Sequence, residues 1–312
     1  MAGTPLITGA TGFAGSHLLD LLLTEHEAVH AWAHPGGRAH ARDDPRVRWA
    51  PVDLLDRTNV ERALAAAAPS VIYHCAGIAD VRRTWDAPAR ALEVNALGTH
   101  HLLDAARRLG FTGRLLVTGS ALVYRASATA IGEDDPLGPS SPYAVSKLAQ
   151  EMAAARSPLD VLLARPFNHA GPKQEDSFVT SAFARQIAEI EHGRREPVLR
   201  VGNLDARRDI TDVRDVTRAY CDLVQRGEGH RPYNICSGQA PRVRDLLDIL
   251  LSLARVRVSV ETDPARLRPS DTPVVLGSHA RITRETGWTP RIPIERTLAD
   301  ILGYWRGRSA AA

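Results

Sequence analysis

Short apolar runs recur through the first half of the chain, and between them the apolar positions fall into a spacing of three and four. Leu6-Ile7-Thr8, Ala28 to Ala33, Val47 to Val52, Ser70 to Gly77, Arg114 to Ser120 and Val161 to Arg165 are the runs. Each is short and set off by turn residues, so each predicts a strand. Leu18, Leu19, Leu22 and Leu23 lie at helical spacing within Ser16 to Leu23, and a longer helical stretch covers about Pro88 to Leu109. Ser141-Pro142 predicts another helix start, the serine placed to cap and the proline suited to the first turn. Strands alternating with helices through residue 165 predict a doubly wound, mostly parallel α/β sheet. Beyond it the pattern is broken by Pro166, Pro172, Pro197, Pro232, Pro241, Pro264, Pro269, Pro273 and Pro290. That predicts a smaller mixed α/β domain. The expected division is 1–168 and 169–312, with part of about 205–237 returning to the first domain.

The first strand runs into Gly9-Ala10-Thr11-Gly12-Phe13-Ala14-Gly15 and then a helix. Strand, glycine turn and helix make a phosphate-binding βα unit. Gly9 allows a sharp turn, Gly12 lets the backbone approach a pyrophosphate, and Gly15 lets the helix pack close on the strand. The helix start offers free N–H groups and partial positive charge to the phosphates. Thr11 and Phe13 belong to the same cofactor-facing turn. The spacing is that of short-chain dehydrogenases rather than of the classical dinucleotide-binding dehydrogenases. The competing reading is a glycine-rich turn with no ligand.

Composition narrows the class. The chain has 312 residues, 44% hydrophobic and 24% charged, with 39 basic and 36 acidic residues giving a net charge of +3. These are globular values. The charges are interspersed, which gives no nucleic-acid patch. No run approaches the ~18 apolar residues of a bilayer span, and no signal peptide is visible. Cys75, Cys221 and Cys236 are scattered without metal spacing, so no metal site is expected and a reduced, cytoplasmic protein is.

The cofactor would be NAD or NADP. An acidic residue usually ends the second strand of this fold and binds the adenosine ribose. Here the end reads His34-Pro35-Gly36-Gly37-Arg38, so a 2′-phosphate is tolerated and His34 or Arg38 could meet it. Asp53, with Leu54, ends the third strand where an adenine amino group would lie; Asp53 could instead belong to the turn of a helix started by Asp56 or Thr58. Ala76 and Gly77 supply the small residues needed where backbone lies against a flat cofactor. Asn95, on an otherwise apolar helix face, reads as structural.

Ser120, Tyr143 and Lys147 form the reactive constellation. Hydride transfer at a carbinol or carbonyl carbon requires one proton to move on the oxygen. A phenol, with a pKa of about 10, needs a nearby ammonium to lower it. Lys147 follows Tyr143 by one helical turn, and can also hold the nicotinamide ribose. Ser120 can orient the substrate oxygen. The competing reading is a surface Tyr and Lys on an amphipathic helix.

With these motifs the chain resembles the extended short-chain dehydrogenases of the nucleotide-sugar epimerase/dehydratase group. Five stretches resemble one branch, that of GDP-4-keto-6-deoxy-mannose reductases and GDP-mannose 4,6-dehydratases. They are Leu163 to Pro172, Val201 to Leu204, Arg208 to Asp215, Tyr233 to Gly238 and Arg268-Pro269-Ser270. The resemblance implies a Rossmann-type fold, a homodimer, a nucleotide-diphosphate sugar as substrate, and Pro166 among the cofactor contacts. It implies that Asn168 contacts sugar or diphosphate, that Arg208 and Arg268 hold the diphosphate, and that Val179 and Val198 line the nucleotide pocket. Guanidinium forks suit phosphate oxygens. Asp80 could face the sugar.

Two departures bear on the reaction. Leu122 stands two residues after Ser120, where the dehydratases and reductases of that branch carry an acidic residue; in a dehydratase it is the acid/base that removes water across C5 and C6. Leucine cannot transfer protons, which disfavours a dehydratase. Arg125 stands where glycine is usual. The expectation is reduction of a 4-keto sugar at C4. The alternative is a 4-epimerase with retained NAD, using the same three residues. A regulator that has lost catalysis is opposed by the complete Ser120, Tyr143 and Lys147.

Overall fold

The computed structural model describes residues 3–37, 43–266 and 272–311. Its first half runs β1 (Pro5–Thr8), α1 (Phe13–Glu25), β2 (Val29–Ala33), β3 (Val47–Pro51), α2 (Arg57–Ala67), β4 (Val71–His74), α3 (Val81–Asp86) and α4 (Pro88–Leu92). A π-helical turn, Glu93–Leu97, leads into α5 (Gly98–Arg108), followed by β5 (Arg114–Thr118), α6 (Pro142–Ala155) and β6 (Asp160–Pro166). The second half contains β7 (Asn168–Ala170), α7 (Val179–Glu191), β8 (Val198–Val201), β9 (Arg207–Arg208), β10 (Ile210–Asp212), α8 (Val213–Arg226) and β11 (Pro232–Ile235). It closes with α9 (Val243–Ser252), β12 (Ser259–Thr262), β13 (Val274–Val275), α10 (Ala280–Thr286) and α11 (Ile294–Ala311).

Seven strands form one sheet in the order β11-β6-β5-β4-β1-β2-β3, every pair parallel. The six strands expected before residue 166 are all present, and β11 from the second half adds to the β6 edge. Alternate residues of each strand feed two separate cores, as the two-residue period requires. Ile7, Tyr73, Leu116 and Leu162 pack on one face with Leu18 and Leu22 of α1 and Val216 and Tyr220 of α8. Leu6, Ile72, Leu115 and Val161 pack on the other with Val60 and Leu64 of α2 and Leu102 of α5. Both faces are dry, which is why these strands read as continuous apolar runs instead of alternating ones. A third core, around Phe183, Ile187, Leu199, Leu246 and Leu298, joins α7, β8, α9 and α11.

The long helical stretch expected from Pro88 to Leu109 is interrupted. At Glu93–Leu97 the backbone widens into the π turn, with Gly98 N–H reaching the Glu93 carbonyl. The strand order reverses between β1 and β4, so their C-terminal ends diverge and leave a crevice, the usual ligand position in open α/β sheets.

Candidate active site

The glycine turn rims this crevice. Gly9 has φ +67°, and a Cβ there would stand 2.7 Å from Ala76 backbone atoms; both the left-handed turn and the close approach of the chain after β4 demand glycine. A Cβ on Gly15 would stand 2.2 Å from the Gly9 carbonyl oxygen, so helix and turn pack at a distance no other residue permits. Gly12 is the exposed N-cap of α1, in extended conformation and with no side chain capping the helix. The first-turn N–H groups of α1 therefore face the crevice unblocked by a side chain, which fits a pyrophosphate. Thr11 is part-exposed at the turn. The Phe13 ring stacks on His169 at 5.6 Å and 3°, and meets His17 edge-on. His17 in turn bonds the Pro172 carbonyl at 2.8 Å. Burial lowers the pKa of both histidines.

The reactive residues lie at the ends of β5 and α6. Ser141 caps α6, accepting from Ala144 N–H at 3.2 Å, with Pro142 in the first turn. Ser120 is buried beyond β5 and its hydroxyl oxygen accepts from Leu122 N–H at 3.2 Å. Tyr143 is buried, which raises its pKa above the ordinary phenol value, while a hydrogen bond with Ser120 pulls it back in part. Lys147 is 5% exposed; its Nζ donates to the Thr118 carbonyl at 2.8 Å and to Gln150 Oε1 at 2.9 Å. Burial lowers its pKa to about 8. The hydrogen bonds of Lys147 run to Thr118 and Gln150, and Ser120 is the neighbour whose hydrogen bond favours the phenolate of Tyr143.

Gly77 completes the floor. A Cβ there would stand 2.7 Å from Asn95 Oδ1 and 3.6 Å from Lys147 Nζ, so backbone can lie flat against the lysine. Asn95 is structural, as expected. Its Oδ1 accepts from Ile78 N–H, and its Nδ2 donates to the Ile78 carbonyl and to Ser146 of α6. The π turn gives Asn95 this direction. Behind it runs a buried polar set that sequence reasoning missed: Thr8, His74, Thr99, Thr118 and Gln150. Gln150 alone carried a signal, three residues after Lys147 on one helix face.

Beyond the ends of β2 and β3 His34 and Asp53 come together, with His34 Nε2 3.9 Å from Asp53 Oδ2. His34 Nδ1 accepts from Gly36 N–H at 3.1 Å, which leaves Nε2 as the donor towards Asp53 or a ligand. Asp56 is the N-cap of α2, and Asp53 accepts from Leu55 N–H at 3.0 Å while keeping a part-exposed second oxygen. The Leu54 side chain is buried in the core and its carbonyl accepts from His101 at 2.8 Å. Ala76 donates its N–H to Thr8 Oγ1, and Pro166 is buried at the end of β6 in register with Ile235. Arg38 lies outside the described residues, as does Arg268.

Asp80 caps α3, its Oδ1 accepting from Arg82 and Arg83 N–H. Leu122, 40% exposed, lies next to Ser120. Asn168 is exposed at the start of β7. Val179 opens α7 and is exposed, whereas Val198, half-buried, pairs with Ser259 of β12. Arg208 lies on β9 and spends part of its guanidinium on the Thr272 carbonyl at 2.8 Å. The adjacent Asp209 is fully buried and accepts from Ser237, Gly238 and Gly277 N–H groups, which fixes the backbone beside Arg208. Among the described residues no three His, Cys, Asp or Glu gather as a metal site, and no helix is long and apolar enough to cross a membrane.

Comparison with known proteins agrees with this geometry. A family model described as GDP-mannose 4,6 dehydratase matches residues 6–301. The GDP-6-deoxy-D-mannose reductase of Pseudomonas aeruginosa is 39% identical over 310 residues, covering 97% of each chain. The structure of RMD from Pseudomonas aeruginosa complexed with NADPH superposes with a TM-score of 0.88 at 37% identity, covering 98% of this chain and 100% of the other. The UDP-glucose 4-epimerase of Thermus thermophilus, in complex with NAD, gives a TM-score of 0.85 at 27% identity, over 97% and 99% of the two chains.

Proposed function

This chain belongs to the GDP-mannose 4,6-dehydratase family of extended short-chain dehydrogenases, and from that premise we propose that it reduces the 4-keto group of a nucleotide-activated 6-deoxy sugar, such as GDP-4-keto-6-deoxy-mannose. The carrying observation is the pairing of Ser120 with a buried Tyr143 while the neighbouring position 122 is leucine. Removing water across C5 and C6 needs a proton carrier at that position, and leucine is none. The reading is therefore reduction, not dehydration. The 39% identity to a reductase supports it.

The glycine turn and the N-terminus of α1 would hold the pyrophosphate of NADPH or NADH, with Lys147 at the nicotinamide ribose. When bound, the cofactor supplies the hydride that C4 accepts. Tyr143 gives its proton to the O4 oxygen, and burial favours this direction because it keeps the phenol protonated. Ser120 orients the ketone. Asn168, Val179 and Arg208 would meet the nucleotide sugar. In this reading the elements after Asn168 form the substrate domain, with α8 and β11 returning to the cofactor domain. The three unpaired cysteines suit a reducing, cytoplasmic location.

The chain would act as a homodimer. Trp85, Leu92, Val145 and Met152 are exposed, and an apolar depression of about 430 Å³ lies between Trp85, Pro88 and Leu92 on one side and Pro139, Pro142 and Val145 on the other. Exposed apolar surface of this kind marks an interaction site.

Tyr143→Phe keeps the ring and loses the transferable proton. Turnover of the 4-keto sugar should fall by ~10²–10⁴, with NADPH binding and circular dichroism unchanged. Near wild-type turnover by the folded variant would exclude Tyr143 as the acid. The likeness to a 4-epimerase in complex with NAD favours a second reading, 4-epimerisation. Oxidised NAD retained through purification would select it over freely exchanging NADPH.

A further inference from the structure

We infer that Gln150 is a positioning residue for Lys147, its amide locked in one orientation by Thr99, so that the lysine presents one N–H to the cofactor's ribose. The inference rests on the reading of Lys147 as a cofactor-binding residue.

The number of hydroxyl protons fixes these orientations. Thr99 is fully buried, and its hydroxyl donates to the Asn95 carbonyl at 2.6 Å. A hydroxyl has one proton, so Thr99 Oγ1 can only accept from its other two partners, Gln150 Nε2 at 2.9 Å and His74 Nε2 at 2.8 Å. Gln150 therefore points its nitrogen at Thr99 and its oxygen at Lys147. The rest of the set agrees. His74 is buried and neutral, burial having lowered its pKa to about 3, so with Nε2 donating, Nδ1 must accept. It accepts from Thr8 Oγ1 at 2.7 Å, and Thr8 Oγ1 accepts in turn from Ala76 N–H at 3.2 Å. Backbone groups fix both ends, an N–H at Ala76 and a carbonyl at Asn95. No member can reverse without leaving a buried group unpaired.

Lys147 Nζ meets two acceptors that cannot become donors, the Thr118 carbonyl and the locked Gln150 Oε1. Two of its protons are spent and one remains for a ligand. The titratable groups near the lysine are neutral ones: Cys75, whose thiol burial pushes up to about 12, His74, and Tyr143 on its own helix. Glu151 of α6 is taken up by Arg165 of β6, in a pair at 2.5 and 2.8 Å. Burial opposes the charge; the Thr118 carbonyl and Gln150 Oε1 accept from the ammonium, and Cys75 is the titratable neighbour that favours it.

The test measures NADPH affinity against pH by nicotinamide fluorescence, which needs no sugar substrate. Wild-type affinity should fall as pH rises through the lysine's pKa. Gln150→Leu removes an acceptor and should move that fall to lower pH. Gln150→Glu supplies a negative charge and should move it to higher pH, each by about one unit. Thr99→Ser keeps the locking hydroxyl and should behave as wild type, whereas Thr99→Val should shift in the direction of Gln150→Leu. A role in packing alone would weaken binding without opposite shifts. Equal pH profiles, or shifts of one sign in Gln150→Leu and Gln150→Glu, would overturn the inference. Absence of any alkaline fall in the wild type would overturn the reading of Lys147 itself.

Discussion

Tyr143 and Lys147 are both buried, and burial drives them in opposite chemical senses: the phenol becomes a weaker acid and the ammonium a stronger one. At neutral pH the first is held protonated and the second is close to its turning point. The pair suits donation to a ketone better than abstraction from an alcohol. The glycine turn is packed just as tightly at Gly15. Gly15→Ala drives a methyl into the Gly9 carbonyl, and overpacking of this kind costs about 1–3 kcal/mol. The variant should unfold at a lower urea concentration than wild type and bind NADPH more weakly, because the turn must shift to admit the methyl. At this scale the sequence is legible where function rests on a single residue type. A glycine turn or a Tyr-x-x-x-Lys step announces itself. Asp80 and Asp53 do not, because a carboxylate near a helix start is claimed by whichever backbone N–H groups the turn happens to present.

The helix that carries the chemistry is held from several sides. Ser146 of α6 takes the Asn95 amide across from the π turn, Glu151 grips Arg165 of β6, and Gln150 reaches Thr99 of α5. All these partners lie outside α6 itself. That distance is why they stayed hidden: periodicity reports which face of a helix is buried, and says nothing of which polar side chain on another element completes a bond. The π turn was hidden for the same reason, since the same apolar spacing serves a regular helix. The outer side of this region is apolar instead, with Trp85, Leu92, Val145 and Met152 exposed. If that surface seats a second copy, a charge in it is costly. Val145→Glu should halve the mass measured by light scattering, and leave the secondary structure intact. A wild-type mass of one chain would refute the dimer.

Across the whole molecule, strand number and the parallel sheet were readable because the central strands β1, β4, β5 and β6 are dry on both faces and so spell short apolar words. The closing strand, β11, was not read as one, and it joins the sheet only through β6. Four histidines spread through the fold, His17, His30, His74 and His169, have pKa values lowered mainly by burial. The unfolded chain therefore takes up protons near pH 6.5 while the folded chain stays neutral, and stability is lost as pH falls below that point. Each histidine contributes a slope of up to about 1.4 kcal/mol per pH unit, for His74 continuing down to about pH 3. Urea midpoints should fall steadily from pH 7 to pH 5, less steeply in His17→Gln. The order of the sheet also carries a cost during synthesis. Once Pro166 has left the ribosome, six strands can assemble, but the outer edge of β6 waits for Pro232–Ile235. At about 5–20 residues per second, translation leaves that row of backbone groups open for several seconds. Open edges recruit neighbouring chains, so the interval in which a nascent chain most needs a chaperone falls between the sixth strand and the seventh.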